Sequence, residues 1–572
     1  MKNDEKDLTK WICLNDEKPL STVDEVINNL YQTRGVKQYD KSDIPTELKE
    51  NAKKIAKTVL EDMEADKRIL LWGDYDVDGT SSVLIWVYTF MFKKYTNFGI
   101  HIPERTDGYG LSIYGLNRFA KNYDTVITMD NGITAGEEAI WCKQNRIKLI
   151  VTDHHSFTKE NRTTAPYIFN PHDYEENYCS DLCGASISHL ITTQIAQDVD
   201  IVASTAFFAS MGIIGDVVPL KGYNRLLFTL GREALFLQNI PCFIALRKKL
   251  KLSNNKKLNA VDFAFGINPL VNACGRMGNI RKAVNFFCAK ADEAETLLKG
   301  IMTLNVERRM VEKEQTELAL TKIKLFESIA TKPKNQLKHK HYLHLVDPKF
   351  HPGMMGLIAG KVAEVINKPV LLMRGYRQPA ESRYVYEGSG RCYNGIPLLS
   401  VLRHIEHLFI KLGGHEQAFG FMLLERNIDR VTDYLDKELR KSIYKQIVID
   451  DIPYDANLTF PLIDLPLAQK LRDHEPFGKG FTNPVYRIVG RIYEIRVSET
   501  KTGKHSFVHI INEETQVRKI NFFFKDLEKS FEKDEKVEAL FSMGTSMFIN
   551  QEQLALKGLE IRPLDEKVLS VE

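Results

Sequence analysis

Residues 68–82 read Arg-Ile-Leu-Leu-Trp-Gly-Asp-Tyr-Asp-Val-Asp-Gly-Thr-Ser-Ser, and this stretch indicates both a fold and a chemistry. The apolar run at 69–72 is typical of a parallel strand that is buried between helices on both faces of its sheet. Three carboxylates follow at alternate positions, Asp74, Asp76 and Asp78, and Gly79 allows a tight turn after them. Carboxylates this close repel one another, and hard divalent cations, which prefer oxygen ligands, are the usual compensation. The stretch therefore indicates a metal site at a strand end, although by itself it also fits a turn with solvated charges.

The residues after this turn predict a helix and a fold class. An apolar segment begins near Val83, and Thr80 or Ser81 can cap it. From about Lys54 onward the order strand, loop, helix repeats along the chain, which is typical of a doubly wound parallel sheet. We therefore predict an α/β fold for this part of the chain.

Other apolar runs also end in acidic residues or histidines. These runs, with the residues that follow them, are Thr125–Met129 with Asp130, Lys148–Thr152 with Asp153, His154 and His155, and Phe207–Ile214 with Asp216. The first two are predicted strands, whereas the third fits a helix or a strand equally well. Ligands of open α/β sheets gather at the carboxyl ends of the strands, so we expect these polar residues and the first three carboxylates to share one site.

Individual members of this set have other interpretations. Asp130 alone could cap a helix that begins near Thr134. We expect Asp153 to orient His154, because metal-bound imidazoles usually donate their other N–H to a carboxylate or carbonyl. Of His154 and His155, we expect one to bind metal and the other to contact a phosphate. Mixed carboxylate and imidazole ligands favour Mn²⁺ or Mg²⁺ over metals that prefer thiolates.

Four motifs in this order resemble those of the DHH phosphoesterase superfamily. They are Asp74-Tyr-Asp-Val-Asp-Gly79, Asp130-Asn-Gly132, Asp153-His-His155 and Gly215-Asp-Val-Val-Pro-Leu220. The segment Asn268–Met277 is similar to a further motif of the RecJ branch, the single-strand-specific 5′ exonucleases. Arg276 matches that motif, whereas Leu270 stands where the family more often has a basic residue.

The resemblance, with the chemistry of phosphodiester hydrolysis, implies roles for these residues. Two cations about 3.5–4 Å apart can lower the pKa of a bound water and clamp the attacking and leaving oxygens. The expected ligands of the ion pair are Asp76, Asp78, Asp130, His154 and Asp216, with Asp74 as a further or bridging ligand. The division of these ligands between the two ions stays open. The resemblance gives His155 the contact with the scissile phosphate, and it places Asp76, Asp78, Asp130, His154, His155 and Asp216 in the catalytic set.

A second α/β unit is predicted from His341. Its strands are Tyr342–Val346 and Pro369–Met373, and a helix runs from the segment His351-Pro-Gly-Met-Met-Gly356 to about Ile366. Two glycine-rich loops follow, Gly388–Arg391 and Gly413–Ala418, where backbone N–H groups can approach an anion, although Gly-Gly-His alone fits an ordinary turn. The unit resembles a DHHA1 domain, which implies that Ser389, Arg391, Gly413, Gly414 and His415 bind substrate phosphate together with Arg276.

A barrel is predicted from about Asp451. The segment Glu475–Pro484 is similar to a rigid connector of RecJ proteins. Five strands follow, Tyr486–Val497, Ser506–Ile511, Arg518–Phe524, Val537–Phe541 and Leu554–Ile561, with turn signals at Thr502-Gly503 and Met543-Gly544. This pattern predicts an OB-fold, a barrel that holds single strands with basic grooves and stacking aromatic rings. Lys519, Phe522, Phe523, Phe524 and Lys525 have the matching chemistry, with at least one phenylalanine in the core.

Composition limits the class of protein. The chain has 572 residues, of which 43% are hydrophobic and 27% are charged, as in soluble globular proteins with several domains. The formal charge of +3 is nearly neutral, so a nucleic-acid partner has to be argued from local grooves. Eight scattered cysteines without a signal peptide predict reduced thiols in the cytoplasm. No apolar run of about eighteen residues occurs, so we expect no membrane span.

The predicted organisation has five parts. They are an N-terminal arm (1–50), a DHH catalytic domain (51–282), a connecting helical segment (283–332), a DHHA1 domain (333–442) and an OB-fold domain (451–572). The helical pattern of the connecting segment covers Ala283–Ile329, and the lysine-rich Thr331–His341 marks its end.

The resemblance implies a metal-dependent, single-strand-specific 5′→3′ DNA exonuclease that releases 5′-mononucleotides in DNA repair and recombination. The expected partners are single-stranded DNA with a 5′ end and, in the cell, a helicase and a single-strand-binding protein, and we expect a monomer. One alternative is a DHH–DHHA1 phosphodiesterase for cyclic dinucleotides or short oligonucleotides, which would resemble the chain only up to about residue 440. The other alternative is an inactive DNA-binding scaffold of a replication complex, against which the intact carboxylates and histidines argue.

Overall fold

The computed structural model of the chain describes residues 10–15, 18–35, 44–105, 108, 110–174, 181–252, 258–329, 341–378, 383–393, 395–441, 451–500, 503–528, 530–549 and 551–564. The strands are β1 (Trp11–Cys13), β2 (Ile69–Trp72), β3 (Phe98–His101), β4 (Thr125–Met129), β5 (Lys148–Thr152), β6 (Tyr167–Phe169), β7 (Leu343–Val346), β8 (Val370–Gln378), β9 (Arg383–Arg391), β10 (Phe409–His415), β11 (Ala418–Leu424), β12 (Ile452–Tyr454), β13 (Ala456–Asn457), β14 (Val485–Thr500), β15 (Gly503–Ile511), β16 (Val517–Phe522), β17 (Lys536–Phe548) and β18 (Gln551–Pro563). The helices are α1 (Val23–Thr33), α2 (Thr46–Glu64), α3 (Val77–Phe92), α4 (Ile113–Phe119), α5 (Gly136–Gln144), α6 (Gly184–Ala196), α7 (Val199–Gly215), α8 (Gly222–Leu237), α9 (Pro241–Leu250), α10 (Ala260–Asp262), α11 (Asn268–Arg276), α12 (Arg281–Phe287), α13 (Ala294–Ile329), α14 (Met355–Ile366), α15 (Leu398–Arg403), α16 (Ile428–Glu438) and α17 (Leu465–Asp473).

The first sheet is parallel throughout, with strands in the order β3-β2-β4-β5-β6. Successive side chains point to opposite faces of the sheet, so Leu71 and Ile127 pack under α2, α3 and α6, whereas Leu70 and Val126 pack under α4 and α5. The three predicted strands β2, β4 and β5 are confirmed with the same bounds. The sequence analysis missed β3 and β6, which are short and complete the sheet.

A group of helices from α7 to α12 forms a second core beside α3. Its buried residues include Phe207, Phe228 and Phe243. The segment of uncertain type at residues 207–214 lies inside α7, so it is a helix. It is apolar on all sides because it packs between neighbouring helices. Its hydrophobic pattern therefore has no periodicity that distinguishes a helix from a strand.

The long helix α13 links this core to the second sheet. Leu298 and Ile301 near its start are buried among α7–α12, whereas Ala319 and Ile323 are buried against α14 and β7. The predicted continuous helix over 283–329 is wrong in one respect, because α12 and α13 are separated by residues 288–293. The lysine-rich boundary at 331–341 lies almost wholly outside the described residues.

The second sheet has the order β10-β11-β9-β8-β7, in which β7 and β8 are parallel and the other pairs are antiparallel. The predicted glycine-rich loops are strands here, since Ser389 and Arg391 belong to β9 and Gly413–His415 belongs to β10. Both strands pair with β11, so that Ser389 and Gly413 lie opposite Gly420 from its two sides.

The C-terminal strands form a closed barrel in the order β13-β14-β15-β16-β18-β17, and β14 also pairs with β17. All five predicted strands are present. The predicted turn at Met543-Gly544 is wrong, because Met543 pairs with Leu556 inside a long hairpin of β17 and β18. Gly503 begins β15, and Thr502 of the other predicted turn lies outside the described residues.

The N-terminal residues pack against this barrel. Val26 and Leu30 of α1 are buried in the barrel core, and β1 pairs in parallel with β12. Arg34 forms an ion pair with Asp455 at 2.5 Å. The expected domain boundaries at 50/51 and 282/283 fall inside α2 and α12. None of the helices in the described ranges has the length and apolar character that crossing a membrane requires.

Candidate metal and phosphate site

The first acidic motif leads directly from β2 into α3. Asp76 is the N-cap of α3, and its Oδ1 accepts a hydrogen bond from the Gly79 N–H at 3.0 Å. Asp78 consequently lies in the first turn of the helix. This tight junction brings Asp74, Asp76 and Asp78 to the carboxyl end of one strand.

The start of α3 differs from the prediction. We predicted that Thr80 or Ser81 caps a helix beginning near Val83, but both residues lie inside α3. The physical reason is that Asp is as good an N-cap as Ser or Thr, and Asp76 comes earlier in the chain.

The N-terminus of α6 holds the carboxylate of Asp78. Its Oδ2 accepts a hydrogen bond from the Gly184 N–H at 2.7 Å, and its Oδ1 accepts one from the Ala185 N–H at 3.0 Å. The helix terminus also favours the negative charge. A Cβ on Gly184 would lie 2.7 Å from the Cβ of Asp130, and one on Gly212 would lie 2.3 Å from Asp78 Oδ1, so only glycine allows α6 and α7 to come this close.

His154 meets three carboxylates. Its Nε2 lies 3.0 Å from Asp130 Oδ1, 3.8 Å from Asp78 Oδ2 and 3.7 Å from Asp216 Oδ2. Asp130 does not cap the next helix, because the N-cap of α5 is Ala135. Asp130 has a left-handed φ of 65°, which turns the chain sharply after β4.

Asp216 reaches this group from a helix rather than from a strand. It is the C-cap of α7, so of the helix and the strand that the sequence left open for the preceding segment, the structure has the helix. It lies near Asp78 because the small residue Gly212 lets α7 pack closely against α3 and α6.

Asp153 orients His155 and not His154, contrary to the prediction. Its Oδ1 lies 2.8 Å from His155 Nδ1 and also accepts the backbone N–H groups of His154 and His155. Its Oδ2 accepts the N–H of Ile133 at 2.9 Å. The backbone after β5 therefore wraps around the carboxylate, which holds the His155 imidazole directly and fixes only the backbone of His154.

Burial and mutual repulsion disfavour ionisation of the clustered carboxyls. Burial raises the pKa of Asp78 to about 6 and that of Asp216 to about 8, and neighbouring carboxylates contribute to both rises. The pKa values of Asp74 and Asp130 are raised by the same two causes. So many buried carboxyls at one point favour binding of a cation.

The two histidines have opposite electrostatic properties. Burial, with the adjacent charge of His155, lowers the pKa of His154 to about 3, so His154 is neutral and able to donate a lone pair. Burial also acts against the charged form of His155, but the hydrogen bond and charge of Asp153 outweigh it and raise the pKa to about 9.

The donor set fits a hard divalent metal. Three groups have ligand atoms that all lie within 4.8 Å of one another, namely Asp130 with His154 and His155, Asp78 with His154 and Asp216, and Asp74 with Asp76 and Asp130. The buried Oδ1 of Asp74 has no hydrogen-bond partner among the described residues. Oxygen-rich donors with one or two imidazoles match Mn²⁺ or Mg²⁺.

A cluster of arginines lies beside these carboxylates. Burial lowers the pKa of Arg276 to about 9, and the charges of Arg105, Arg308 and Arg391 contribute to this fall. Arg105 lies over the ring of Tyr75 at 4.2 Å, and its buried Nε has no hydrogen-bond partner in the described structure. Guanidinium groups this close favour an anion such as phosphate between them.

The sequence analysis missed Arg105 and Arg308. Arg105 follows the edge strand β3, and the available signal was the apolar run 98–102 followed by a proline. Arg308 lies in a charged part of α13, a pattern typical of a solvated helix face, but its side chain is 14% exposed and pairs with Glu312.

The second sheet contacts the first unit at the arginine cluster. Arg276 Nη1 donates to the Gly353 carbonyl oxygen at 3.1 Å. Arg391 Nη1 donates to Ser389 Oγ at 2.8 Å, and a Cβ on Gly356 would lie 2.5 Å from the Arg391 guanidinium.

The predicted substrate-binding residues thus divide into two groups. Ser389, Arg391 and Arg276 come together, whereas Gly413, Gly414 and His415 lie exposed on β10. The charge of His415 is one of those that lower the pKa of His154. A Cβ on Gly108 would lie 3.8 Å from Lys411 Nζ, so β10 faces the first unit. Leu270 is 7% exposed and belongs to the helical core, so it does not face the cleft.

Comparisons with known proteins agree with this geometry. The DHH family N-terminal domain matches residues 68–213, and the RecJ OB domain matches residues 454–558. The single-stranded-DNA-specific exonuclease RecJ of Escherichia coli (strain K12) is 27% identical over 506 residues, which cover 81% of this chain and 82% of that protein. The chain is RecJ-like.

Solved structures support the same likeness. RecJ of Thermus thermophilus in complex with Mn²⁺ has a TM-score of 0.76 at 22% identity, covering 98% of this chain and 80% of that one, and it shows a shared fold. An exonuclease RecJ bound to manganese is 26% identical with a TM-score of 0.57, covering 70% of this chain and 98% of that one. The same Thermus protein is also known in complex with Mg²⁺.

Proposed function

We propose that this chain is a metal-dependent, single-strand-specific 5′→3′ DNA exonuclease that releases 5′-mononucleotides, with a role in DNA repair and recombination. The observation that carries the proposal is the meeting of His154 with Asp78, Asp130 and Asp216, next to a cluster of half-buried arginines. The same function is supported by the matches to the DHH family N-terminal domain at residues 68–213 and to the RecJ OB domain at residues 454–558.

The residues that would hold two Mn²⁺ or Mg²⁺ ions are Asp74, Asp76, Asp78, Asp130, His154 and Asp216. Bound ions of this kind supply Lewis acidity and lower the pKa of a coordinated water. The backbone N–H groups of Gly184 and Ala185 keep Asp78 aimed at this point, and neutral His154 presents its Nε2 to it.

His155 is the candidate for contact with the scissile phosphate. Asp153 holds the imidazole through Nδ1, which leaves Nε2 as a donor. Because the pKa of His155 is raised to about 9, the ring is an imidazolium at neutral pH and can stabilise negative charge on a phosphoryl oxygen.

The arginine cluster would bind the 5′-phosphate. Arg276 and Arg391 come from the two sheet units, and Arg105 completes the group from the edge of the first sheet. Gly413, Gly414 and His415 would contact the strand from the opposite side of the cleft. A terminal phosphate held beside the carboxylates would set the 5′→3′ polarity of degradation and limit cleavage to the end of the strand.

The barrel would hold the rest of the strand. Phe522 is buried in the barrel core, as expected for at least one of the three phenylalanines, whereas Phe523 and Phe524 are 46% and 70% exposed. Exposed rings stack on unpaired bases and not on a closed duplex. Lys519 lies over the ring of Phe507 at 4.6 Å and adds positive charge to the same wall.

Several further features are inferred. The chain would divide into DHH, connecting, DHHA1 and OB-fold parts, with the boundaries near residues 50 and 282 shifted to keep α2 and α12 whole. It would act as a monomer in the cytoplasm, where a helicase or a single-strand-binding protein would supply unpaired DNA. The match of residues 454–558 to the RecJ OB domain supports the last of these parts, the OB-fold.

The test compares two substrates. The protein is incubated with a long 5′-phosphorylated single strand, or with a 5′-phosphorylated dinucleotide, in Mn²⁺ and then in EDTA. We expect metal-dependent loss of the long strand. Hydrolysis of the dinucleotide alone would favour the short-substrate phosphodiesterase, which the barrel argues against, and binding without turnover would favour the inactive scaffold.

A further inference from the structure

The connector between the second sheet and the barrel lies directly against the loop at residues 216–221. The Leu220 N–H donates to the Lys479 carbonyl oxygen at 2.8 Å. A Cβ on Gly478 would lie 2.6 Å from Leu220 Cδ1, and one on Gly480 would lie 2.9 Å from the same loop. The backbone on both sides of Lys479 is therefore fixed relative to Asp216.

The helix α8 holds the connector from the other side. Arg225 donates to the Pro476 carbonyl oxygen at 2.6 Å and to the His474 carbonyl oxygen at 2.5 Å. The same guanidinium lies over the ring of Phe481 at 4.1 Å. These contacts on either side of residues 478–480 hold Lys479 on a rigid segment, and Lys479 itself is exposed.

Lys479 adjoins the loop that follows Asp216, since a Cβ on the next residue, Gly480, would also lie 3.1 Å from Lys221 Cε. Burial raises the pKa values of Asp181 and Asp216, and the ammonium of Lys479 is one of the cations that oppose both rises. Burial lowers the pKa of His415, and the charges of His155 and Lys479 lower it further. The backbone contacts thus place Lys479 beside the loop of Asp216, and its charge also acts on His415 of the second sheet.

The arginines and Lys479 stand at different ends of the carboxylate group. Arg105 lies over the ring of Tyr75, which stands between Asp74 and Asp76, and Gly275, next to Arg276, packs on the Tyr75 carbonyl oxygen. Lys479 instead adjoins the loop that follows Asp216. A strand with its 5′-phosphate among the arginines and its first linkage at the carboxylates would therefore continue towards the connector and the barrel.

We propose that Lys479 binds the first phosphate on the 3′ side of the scissile linkage. This inference rests on the proposed exonuclease function and assigns one more substrate contact to it. The residue comes from the barrel side of the chain, so the contact would align the strand leaving the barrel with the carboxylates of the first unit.

The experiment removes the charge of Lys479 in one set of samples and the charge of the phosphate in the second linkage of the strand in another. The substrate is a 5′-phosphorylated single strand whose second linkage is either native or a neutral methylphosphonate, and the readout is kcat/KM for release of the first nucleotide in Mn²⁺. The proteins are the full chain, Lys479→Ala, Lys479→Arg and the control Lys470→Ala, which changes a lysine of the neighbouring α17.

On the native strand we expect kcat/KM of Lys479→Ala to be about fivefold lower than that of the unchanged protein, which is the upper range for an exposed charge pair. Lys479→Arg and Lys470→Ala should have kcat/KM values close to that of the unchanged protein. The methylphosphonate linkage should lower kcat/KM of the unchanged protein by the same factor. It should not lower kcat/KM of Lys479→Ala any further. In Lys479→Ala the slope of log Kd against log salt concentration should fall by about 0.7, as for one lost phosphate contact on a single strand.

Two failures are distinguishable. If both changes lower the rate independently, so that their effects multiply in Lys479→Ala, Lys479 does not bind this phosphate while the exonuclease function stands. If the unchanged protein releases no nucleotide from the native strand, the proposed function fails and this inference with it.

Discussion

Asp153 Oδ1 lies 2.8 Å from His155 Nδ1, and the same carboxylate accepts the backbone N–H of His154. One buried carboxylate thereby gives two adjacent imidazoles different roles. His154 is directed to Asp78, Asp130 and Asp216 as a neutral ligand, whereas His155 is held as a cation beside them. The first can bind a metal and the second can bind the phosphate that the metal activates.

Removing one carboxylate from the cluster should separate activity from stability. We expect Asp130→Asn to abolish turnover, because it removes the negative charge of a carboxylate whose Oδ1 lies 3.0 Å from His154 Nε2. Without metal the variant should unfold at a higher temperature than the unchanged protein, because a buried and mutually repelling acid has been neutralised. Thermal unfolding in EDTA and in Mn²⁺ measures both effects, since a ligand that binds only the folded state raises Tm.

The control for this variant is Asp173→Asn, which removes an ion pair with Arg162 away from the cluster. It should keep the rise of Tm in Mn²⁺ and the activity. An Asp130→Asn protein that still degrades DNA at a normal rate would remove Asp130 from the ligand set.

Gly212 should be required for metal binding although it carries no ligand. A Cβ at this position would lie 2.3 Å from Asp78 Oδ1 and 2.6 Å from the Cβ of Ala185, so α7 would have to move away from α3 and α6. We expect Gly212→Ala to lose about 1–3 kcal/mol of stability by overpacking and to weaken Mn²⁺ binding measured by calorimetry. Gly360→Ala, where no atom lies within 4 Å of the added Cβ, should leave Mn²⁺ affinity unchanged.

Arg391 should determine the preference for a 5′-phosphate. Its guanidinium donates to Ser389 Oγ and is one of the charges around Arg276. We expect Arg391→Ala to lose about tenfold or more in kcat/KM on a 5′-phosphorylated strand, as for a hydrogen bond to a charged group, and much less on a 5′-hydroxyl strand. Arg426→Ala, an exposed arginine after β11, is the control. Equal losses on both strands would place the 5′-phosphate elsewhere.

His189 should make stability depend on pH. Its Nε2 donates to the Val202 carbonyl oxygen, so Nδ1 accepts from the Tyr223 hydroxyl, and burial lowers the pKa of the ring to about 4. Between the ordinary histidine pKa of about 6.5 and about 4 the unfolded state binds the extra proton, so folding stability falls as pH falls. The slope from this residue is at most about 1.4 kcal/mol per pH unit.

Urea unfolding from pH 7 to pH 4.5 measures this slope. We expect His189→Gln to be less stable than the unchanged protein at pH 7 but to show a flatter decline on acidification. Parallel curves for the two proteins would mean that His189 does not carry the pH dependence.

Local patterns predicted the strand ends well and the helix-borne features less well. The bounds of β2, β4 and β5 follow from short apolar runs that end abruptly in polar residues. The helix α7 is apolar on all sides and has no periodicity to distinguish it from a strand. The cap by Asp76 competed with two later residues of equal capping ability, and only the packed structure decides between them.

Contacts between distant segments could not be predicted. Arg105 lies over the ring of Tyr75 because β3 joins the sheet edge, and Lys479 adjoins the loop of Asp216 because the connector packs on residues 216–221. Leu270 lies inside a motif but is buried, because its helix turns that position into the core. The pairing of Asp153 with His155 depends on the loop conformation after β5, which side-chain alternation along a strand does not describe.

The most direct test of the central claim uses one 5′-phosphorylated single strand labelled separately at each end. The protein is added with Mn²⁺, with Mg²⁺ and with EDTA, and a blunt duplex of the same sequence serves as the control. We predict that the 5′ label is released at once as a mononucleotide, that the 3′ label stays in gradually shortened strands, and that neither occurs in EDTA or on the duplex. Release of the 3′ label first, or cleavage within the strand, would contradict the account.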